Sequence, residues 1–132
     1  MKKIILSLAA TCALAACGGP RDINNDMVFY AFDSAEITDD AYDSLRDQAL
    51  YLKNNPDTRV VMEGHCDERG TVEYNLALGA VRAGNAAHVL ISEGIEPERI
   101  RTISYGKENP QFPGTGEAVW SKNRNATTKL VD

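Results

Sequence analysis

A short apolar run, Val60-Val61-Met62, passes directly into the polar stretch from Glu63 to Thr71 and then into a long segment of helical periodicity. This junction constrains the fold more than any other feature. A buried strand over Arg59 to Gly64 must turn at Gly70 and feed a helix from about Glu73 to Glu93. Leu76, Gly79, Ala83, Ala86 and Leu90 recur at spacings of three and four, so they form the expected core stripe of that helix. The many small residues predict close packing on a sheet. Gly94 stands where a helix commonly ends in a left-handed residue. Asn75, Leu78 and Arg82 also follow a three-four spacing and share a face. An anion (Asp67), an amide (Asn75) and a guanidinium (Arg82) can therefore line one small site, and such a set suits a zwitterion better than bond-making chemistry.

The other elements follow from the same reasoning. Met27 to Phe32 is apolar and aromatic and reads as a strand. Thr38 is a good N-cap, with Asp39 and Asp40 in the first turn complementing the helix dipole. Ile37 and Tyr42 occupy the staple positions around that cap. Leu45, Ala49 and Leu52 share a face of the helix, and Asn54-Asn55-Pro56 ends it. Ile100 to Tyr105 reads as a third strand, Glu117 to Asn123 as a short helix and Asn125 to Val131 as a weak last strand. The order is β-α-β-α-β with one more strand. The expected class is an α+β sandwich, a small mixed sheet with two helices packed on one face.

The N-terminus sets the compartment. Lys2 and Lys3 precede an apolar run, Ile4 to Ala16, that is too short to span a bilayer and reads as a signal peptide. It ends in Leu14-Ala15-Ala16-Cys17, which resembles the bacterial lipobox, where cleavage precedes an acylated cysteine. Three acyl chains would hold the protein firmly, since each buried methylene contributes about 0.8 kcal/mol. The expected division is a signal over residues 1–16, a lipidated tether over 17–27 and one domain over 28–132, with Cys17 as lipid anchor. Loss of residues 1–16 leaves 12 basic against 19 acidic residues, a net charge of −7. That acidity argues against nucleic acid, which calls for a basic footprint. Cys12 leaves with the signal and Cys17 is lipidated, so Cys66 remains as one unpaired thiol.

His65-Cys66-Asp67-Glu68 also admits reading as a metal or thiol centre. Neighbours in an extended segment point to opposite faces, which keeps His65 and Cys66 from converging, and the spacing is not a zinc pattern. His65 reads better as a structural residue, Cys66 as a small, partly buried hydrophobe, and His88 as a surface residue. Arg69 and Glu68 are either solvated loop charges or ordering groups. Trp120 and Tyr105 read as packing residues. The expectation is no metal, no cofactor and no catalysis. The alternatives are a thiol-dependent or metal-dependent hydrolase of the cell wall, or a protein adaptor.

The motifs Phe32-Asp33-Ser34, Glu63 to Thr71, Glu73-Tyr74-Asn75, Leu78-Gly79, Arg82-Ala83, Ser104 to Glu108 and Lys122-Asn123-Arg124 resemble those of the peptidoglycan-associated lipoproteins, whose domain is of the outer-membrane-protein-A-like type. The resemblance runs from about Val28 to near the C-terminus. It implies non-covalent binding of peptidoglycan through the diaminopimelate of the stem peptide. Asp67 resembles the residue that takes the ligand's ammonium and Arg82 the one that takes a carboxylate. Phe32, Asp33, Asn75 and Leu78 match positions around the same pocket. The resemblance further implies an outer-membrane lipoprotein facing the periplasm, since Gly18 rather than an Asp follows Cys17. It also implies Tol proteins as partners in envelope constriction at division.

Four features depart from the family pattern. Cys66 stands where Ala or Thr is usual. Ala80 and Val81 replace residues that are often charged, in a region that by resemblance meets Tol partners. Asn125 stands where a second Arg commonly follows Arg124. The tether is short: Cys17 to Val28 reaches at most about 40 Å when extended.

Overall fold

The structure is a computed structural model that describes residues 21–131. The expected signal, Cys17 and the first part of the expected tether lie outside the described residues. Four strands and three helices alternate: β1 (Met27–Phe29), α1 (Asp39–Asn54), β2 (Arg59–His65), α2 (Val72–Ser92), β3 (Ile100–Gly106), α3 (Glu117–Asn123) and β4 (Asn125–Val131). The sheet order is β1-β4-β2-β3. β4 runs antiparallel to both neighbours, while β2 and β3 are parallel and joined through α2.

The helices begin and end where local chemistry directs. The Thr38 side chain accepts from the Ala41 N–H at 3.1 Å, and the Thr71 side chain accepts from Tyr74 at the same distance. Each satisfies a donor the first helical turn leaves open. Gly94 has φ 105°, and the Ile95 N–H reaches back to the Leu90 carbonyl at 3.1 Å. The staple around Thr38 is only half formed: Ile37 packs against the core, but Tyr42 is exposed and its hydroxyl donates to Glu93.

One apolar core fills the space between the helices and one face of the sheet. Leu45, Ala49 and Leu52 of α1 meet Ala83, Ala86 and Leu90 of α2 over Val28, Val60, Met62 and Ala126. α2 lies unusually close to the sheet at its N-terminal half. A Cβ at Gly64 would fall 1.7 Å from the Gly79 carbonyl oxygen, so neither chain could approach this closely with a side chain at Gly64. That contact fixes the roll of the helix and corrects the expected stripe. Leu76 is 38% exposed, and Asn75 is turned inward beside Gly79 instead.

Two strand expectations change. β1 stops at Phe29 rather than Phe32: the Tyr30 N–H still donates to the Arg124 carbonyl, but the Tyr30 carbonyl is taken by the Arg124 side chain. β4, which looked weak from its polar residues, is a central strand. Its Thr128 is buried against Gln48 of α1, and Asn125 and Thr127 are buried under Gln111 on the other face. The expected tether is also shorter at its described end. Ile23 is fully buried, and the stretch after it pairs with Thr128 through both Asn25 and Asp26. No helix among the described residues is long and apolar enough to cross a membrane.

Candidate functional site

β2 delivers its last residues to a pole of the molecule where the apolar core gives way to charge. The register between β2 and β3 shifts between Gly64 and His65, which re-aims the chain just before Cys66 and Asp67. The turn that follows is built by side chains. Asp67 Oδ1 accepts the Arg69 N–H at 3.0 Å, and Asn75 Nδ2 donates to the carbonyls of Arg69 and Thr71 at 2.7 and 2.9 Å. Asn75 is thus a clamp holding the loop to the first turn of α2. Opposite, the loop after β1 turns sharply: Asp33 has φ 52°, and its carboxylate accepts from the Tyr74 hydroxyl.

Phe32, Asp33, Asp67, Asn75, Leu78 and Arg82 all line one pocket of about 110 Å³, completed by Cys66, Arg69, Gly70 and Tyr74. Drug-sized sites run to about 300 Å³ and more, so this one suits a small end group. Cys17 lies outside the described residues.

Arg82 is 1% exposed and, among the described residues, makes no salt bridge. Its Nε donates to Ser34 O at 2.8 Å, Nη1 to His65 O at 3.0 Å and Nη2 to Ala31 O at 3.2 Å. One side chain therefore ties the loop after β1 to the end of β2. Burial pushes the Arg82 pKa down, but a guanidinium remains charged in proteins. Its remaining N–H groups belong to a cation that lines the pocket without an anion.

Asp67 is 5% exposed and pairs with other arginines. Arg69 forks onto it, Nε to Oδ1 at 3.1 Å and Nη2 to Oδ2 at 2.8 Å, and Arg124 Nη1 stands 3.5 Å from Oδ2. Burial raises the Asp67 pKa, but the hydrogen bonds and charge of Arg69, with Arg124 behind, hold it below the ordinary carboxylate value. Arg124 is itself fixed by Tyr30 O at 3.0 Å and by Glu117 at 2.7 Å. Asp67 and Arg82, though both line the pocket, form no salt bridge with each other.

Arg69, Tyr74 and Arg124 are the site residues that sequence reasoning missed. The pair Asp67 and Arg69, two apart across a turn, was the one local signal for the first of them. Trp120 does more than pack: its ring lies 4.1 Å from the Arg69 guanidinium carbon, and its indole N–H donates to Glu68 at 3.0 Å.

His65 and Cys66 diverge. His65 stacks on Tyr105 with ring centroids 5.4 Å apart and meets Glu63 at 3.2 Å, whereas Cys66 Sγ turns toward Asn75 O at 3.3 Å. Burial lowers the His65 pKa and raises that of the Cys66 thiol, which disfavours a reactive thiolate. Among the described residues no three His, Cys, Asp or Glu side chains are grouped to hold a metal.

Known proteins are similar to this chain over most of its length. Residues 29–124 match the OmpA family. The peptidoglycan-associated lipoprotein of Mesorhizobium japonicum is 38% identical over 152 aligned positions, covering 96% of this chain and 90% of that protein. Its counterpart in Brucella melitensis is 42% identical over 126 positions, covering 95% and 75%. The crystal structure of the peptidoglycan-associated lipoprotein from Burkholderia pseudomallei superimposes with a TM-score of 0.77 at 38% identity, covering 80% of this chain and 89% of that one. The C-terminal domain of Helicobacter pylori MotB shares the fold, with a TM-score of 0.75 at 22% identity, covering 81% and 84%.

Proposed function

The chain belongs to the OmpA family and, within it, to the peptidoglycan-associated lipoproteins, and from that premise we propose that it is a lipid-anchored tether binding peptidoglycan without covalent chemistry. The carrying observation is the convergence of Phe32, Asp33, Asp67, Asn75, Leu78 and Arg82 on one small pocket holding both an anion and a cation. In this reading the pocket takes the zwitterionic end of a diaminopimelate side chain in the stem peptide. The ligand's ammonium goes to Asp67 and its carboxylate to the free N–H groups of Arg82, with Leu78 against the methylenes. Charged hydrogen bonds of this kind are the stronger sort. No step requires a bond to break, so the domain acts as a binding module.

Cys17 carries the lipid in this reading, and the outer membrane is its location. Because Ile23 is already folded into the body, the stretch from Cys17 to Asp22 reaches at most about 18 Å. The domain works close beneath the membrane and holds wall that lies near it. A role with Tol proteins in envelope constriction belongs to the same proposal. Ala80 and Val81 are exposed on α2, so this surface offers such a partner apolar contact in place of charge.

The test is co-sedimentation of the full-length protein, in detergent, with purified peptidoglycan. Asp67→Asn is expected to leave the protein in the supernatant while the wild type pellets. Equal pelleting of the two would remove the pocket assignment.

A further inference from the structure

The carboxylate proposed to receive the ligand's ammonium is already full. A carboxylate offers about four lone-pair positions. At Asp67 they are used by the Arg69 N–H at 3.0 Å, Arg69 Nε at 3.1 Å, Arg69 Nη2 at 2.8 Å and Arg124 Nη1 at 3.5 Å. An arriving ammonium must therefore displace a resident donor.

The two arginines are not equally displaceable. The Arg124 side chain is 7% exposed and is held elsewhere by Tyr30 O and by Glu117 at 2.7 Å. The Arg69 side chain is 33% exposed, and among the described residues its other ion-pair partner, Glu117, is 4.0 Å away. Arg69 is also held as a plate between two rings, its guanidinium carbon 4.0 Å from the Phe32 centroid and 4.1 Å from that of Trp120. Phe32 is 60% exposed, so one jaw of this clamp faces solvent. Of the two, the more exposed Arg69 is the donor with room to leave Asp67.

Replacing one cation by another on the same carboxylate gains little. The Coulomb attraction is exchanged rather than added, and the displaced guanidinium loses two charged hydrogen bonds. The exchange becomes favourable when the ligand supplies an anion for the group it evicts. We propose that Arg69 is a specificity-determining residue of this pocket, a resident cation on Asp67 that yields to a ligand ammonium only when the ligand also brings a carboxylate. The proposal rests on the wall-binding reading above. The site therefore accepts an ammonium and carboxylate on one carbon, as at the end of diaminopimelate, and rejects the lone ammonium of a lysine side chain. The ligand carboxylate set against the remaining N–H groups of Arg82 then also receives the evicted Arg69, since a carboxylate accepts several donors; Arg82, tied to three carbonyls, fixes where that carboxylate lies, and Arg69 sets what enters.

The experiment compares two synthetic stem tripeptides, one with meso-diaminopimelate and one with lysine at the third position, titrated calorimetrically into the full-length protein in detergent. The wild type is expected to prefer the diaminopimelate peptide by about tenfold or more. Arg69→Gln, which keeps part of the side chain's length without its charge, and Arg69→Ala are both expected to shrink that preference to about twofold, through a gain by the lysine peptide. An unchanged ratio, or equal weakening of both peptides, would overturn the proposal. A second readout needs no variant. Trp120 is the single tryptophan of the chain, so its emission is expected to change as the guanidinium leaves its face. No change at calorimetric saturation would also overturn the proposal. Asp67→Asn separates the layers: loss of both peptides keeps the wall-binding reading whatever Arg69 does, whereas undiminished binding removes that reading and the filter with it.

Discussion

The two ends of the space between α2 and the sheet are equally buried and are held by opposite means. Toward the C-terminal half of α2, Ala83, Ala86 and Leu90 meet Leu45, Ala49 and Leu52 in one apolar cluster. Toward the N-terminal half, Asn75 and Arg82 replace the apolar residues, and backbone carbonyls face them. Burial of apolar surface is non-directional and scales with area. Buried charge is directional, and each partner left alone is costly. The first end needs only the right volume, while the second needs each bond in place. That difference explains how one pole keeps its charged groups in fixed positions while the other simply holds the domain together.

The sharpest way to break this comparison is Arg82→Met, which keeps most of the volume and removes the bonds to Ser34, His65 and Ala31. It is expected to cost about 3 kcal/mol in urea unfolding, because the buried His65 carbonyl and two partly buried carbonyls lose their donor. A cost below about 1 kcal/mol would mean that this pole, too, is held by volume. At the other end, Leu45→Ala is expected to cost about 3 kcal/mol, and Leu45→Met under about 1.5 kcal/mol, since volume is largely conserved there. Equal costs for those two variants would show that shape, not volume, governs the core.

The smallest expected effect is one of pH. Asp67 and Glu117 both titrate below their ordinary values, held there by Arg69 and Arg124. Their contribution is therefore fully present above the ordinary carboxylate range and is lost as pH falls through it toward the depressed values. Stability is expected to be flat in carboxylate terms near neutrality and to decline below about pH 4. Asp67→Asn should flatten part of that decline, and an unaltered acid slope would mean that the Asp67 pairing adds nothing to folding.

Much of the fold was legible because it repeats at short range. The cap at Thr38, the stop at Gly94, the small residues of α2 and the apolar strand before it are local patterns, and each is realised. The errors have a common cause. Leu76 obeys the helical rhythm of the core stripe, yet the close contact of Gly64 with Gly79 sets the roll of α2 so that Asn75 turns inward. β4 looked weak because its threonines and asparagine are polar, yet Gln48 and Gln111, far away in sequence, satisfy them.

The candidate site divides the same way. The residue types, and the sharing of one helix face by Asn75, Leu78 and Arg82, are properties of the chain alone, since a helix places such spacings together wherever it lies. Which cation meets which anion is not. Arg124 reaches Tyr30 across 94 positions and Asp67 across 57, and no periodicity encodes contacts at that range. The sequence by itself determined the elements, their order and the stock of charges at one pole. Only the tertiary structure decided that Arg82 is spent on carbonyls and that Arg69 sits on Asp67, because pairing among several equal charges is settled by distance and burial, which exist only once the chain has folded.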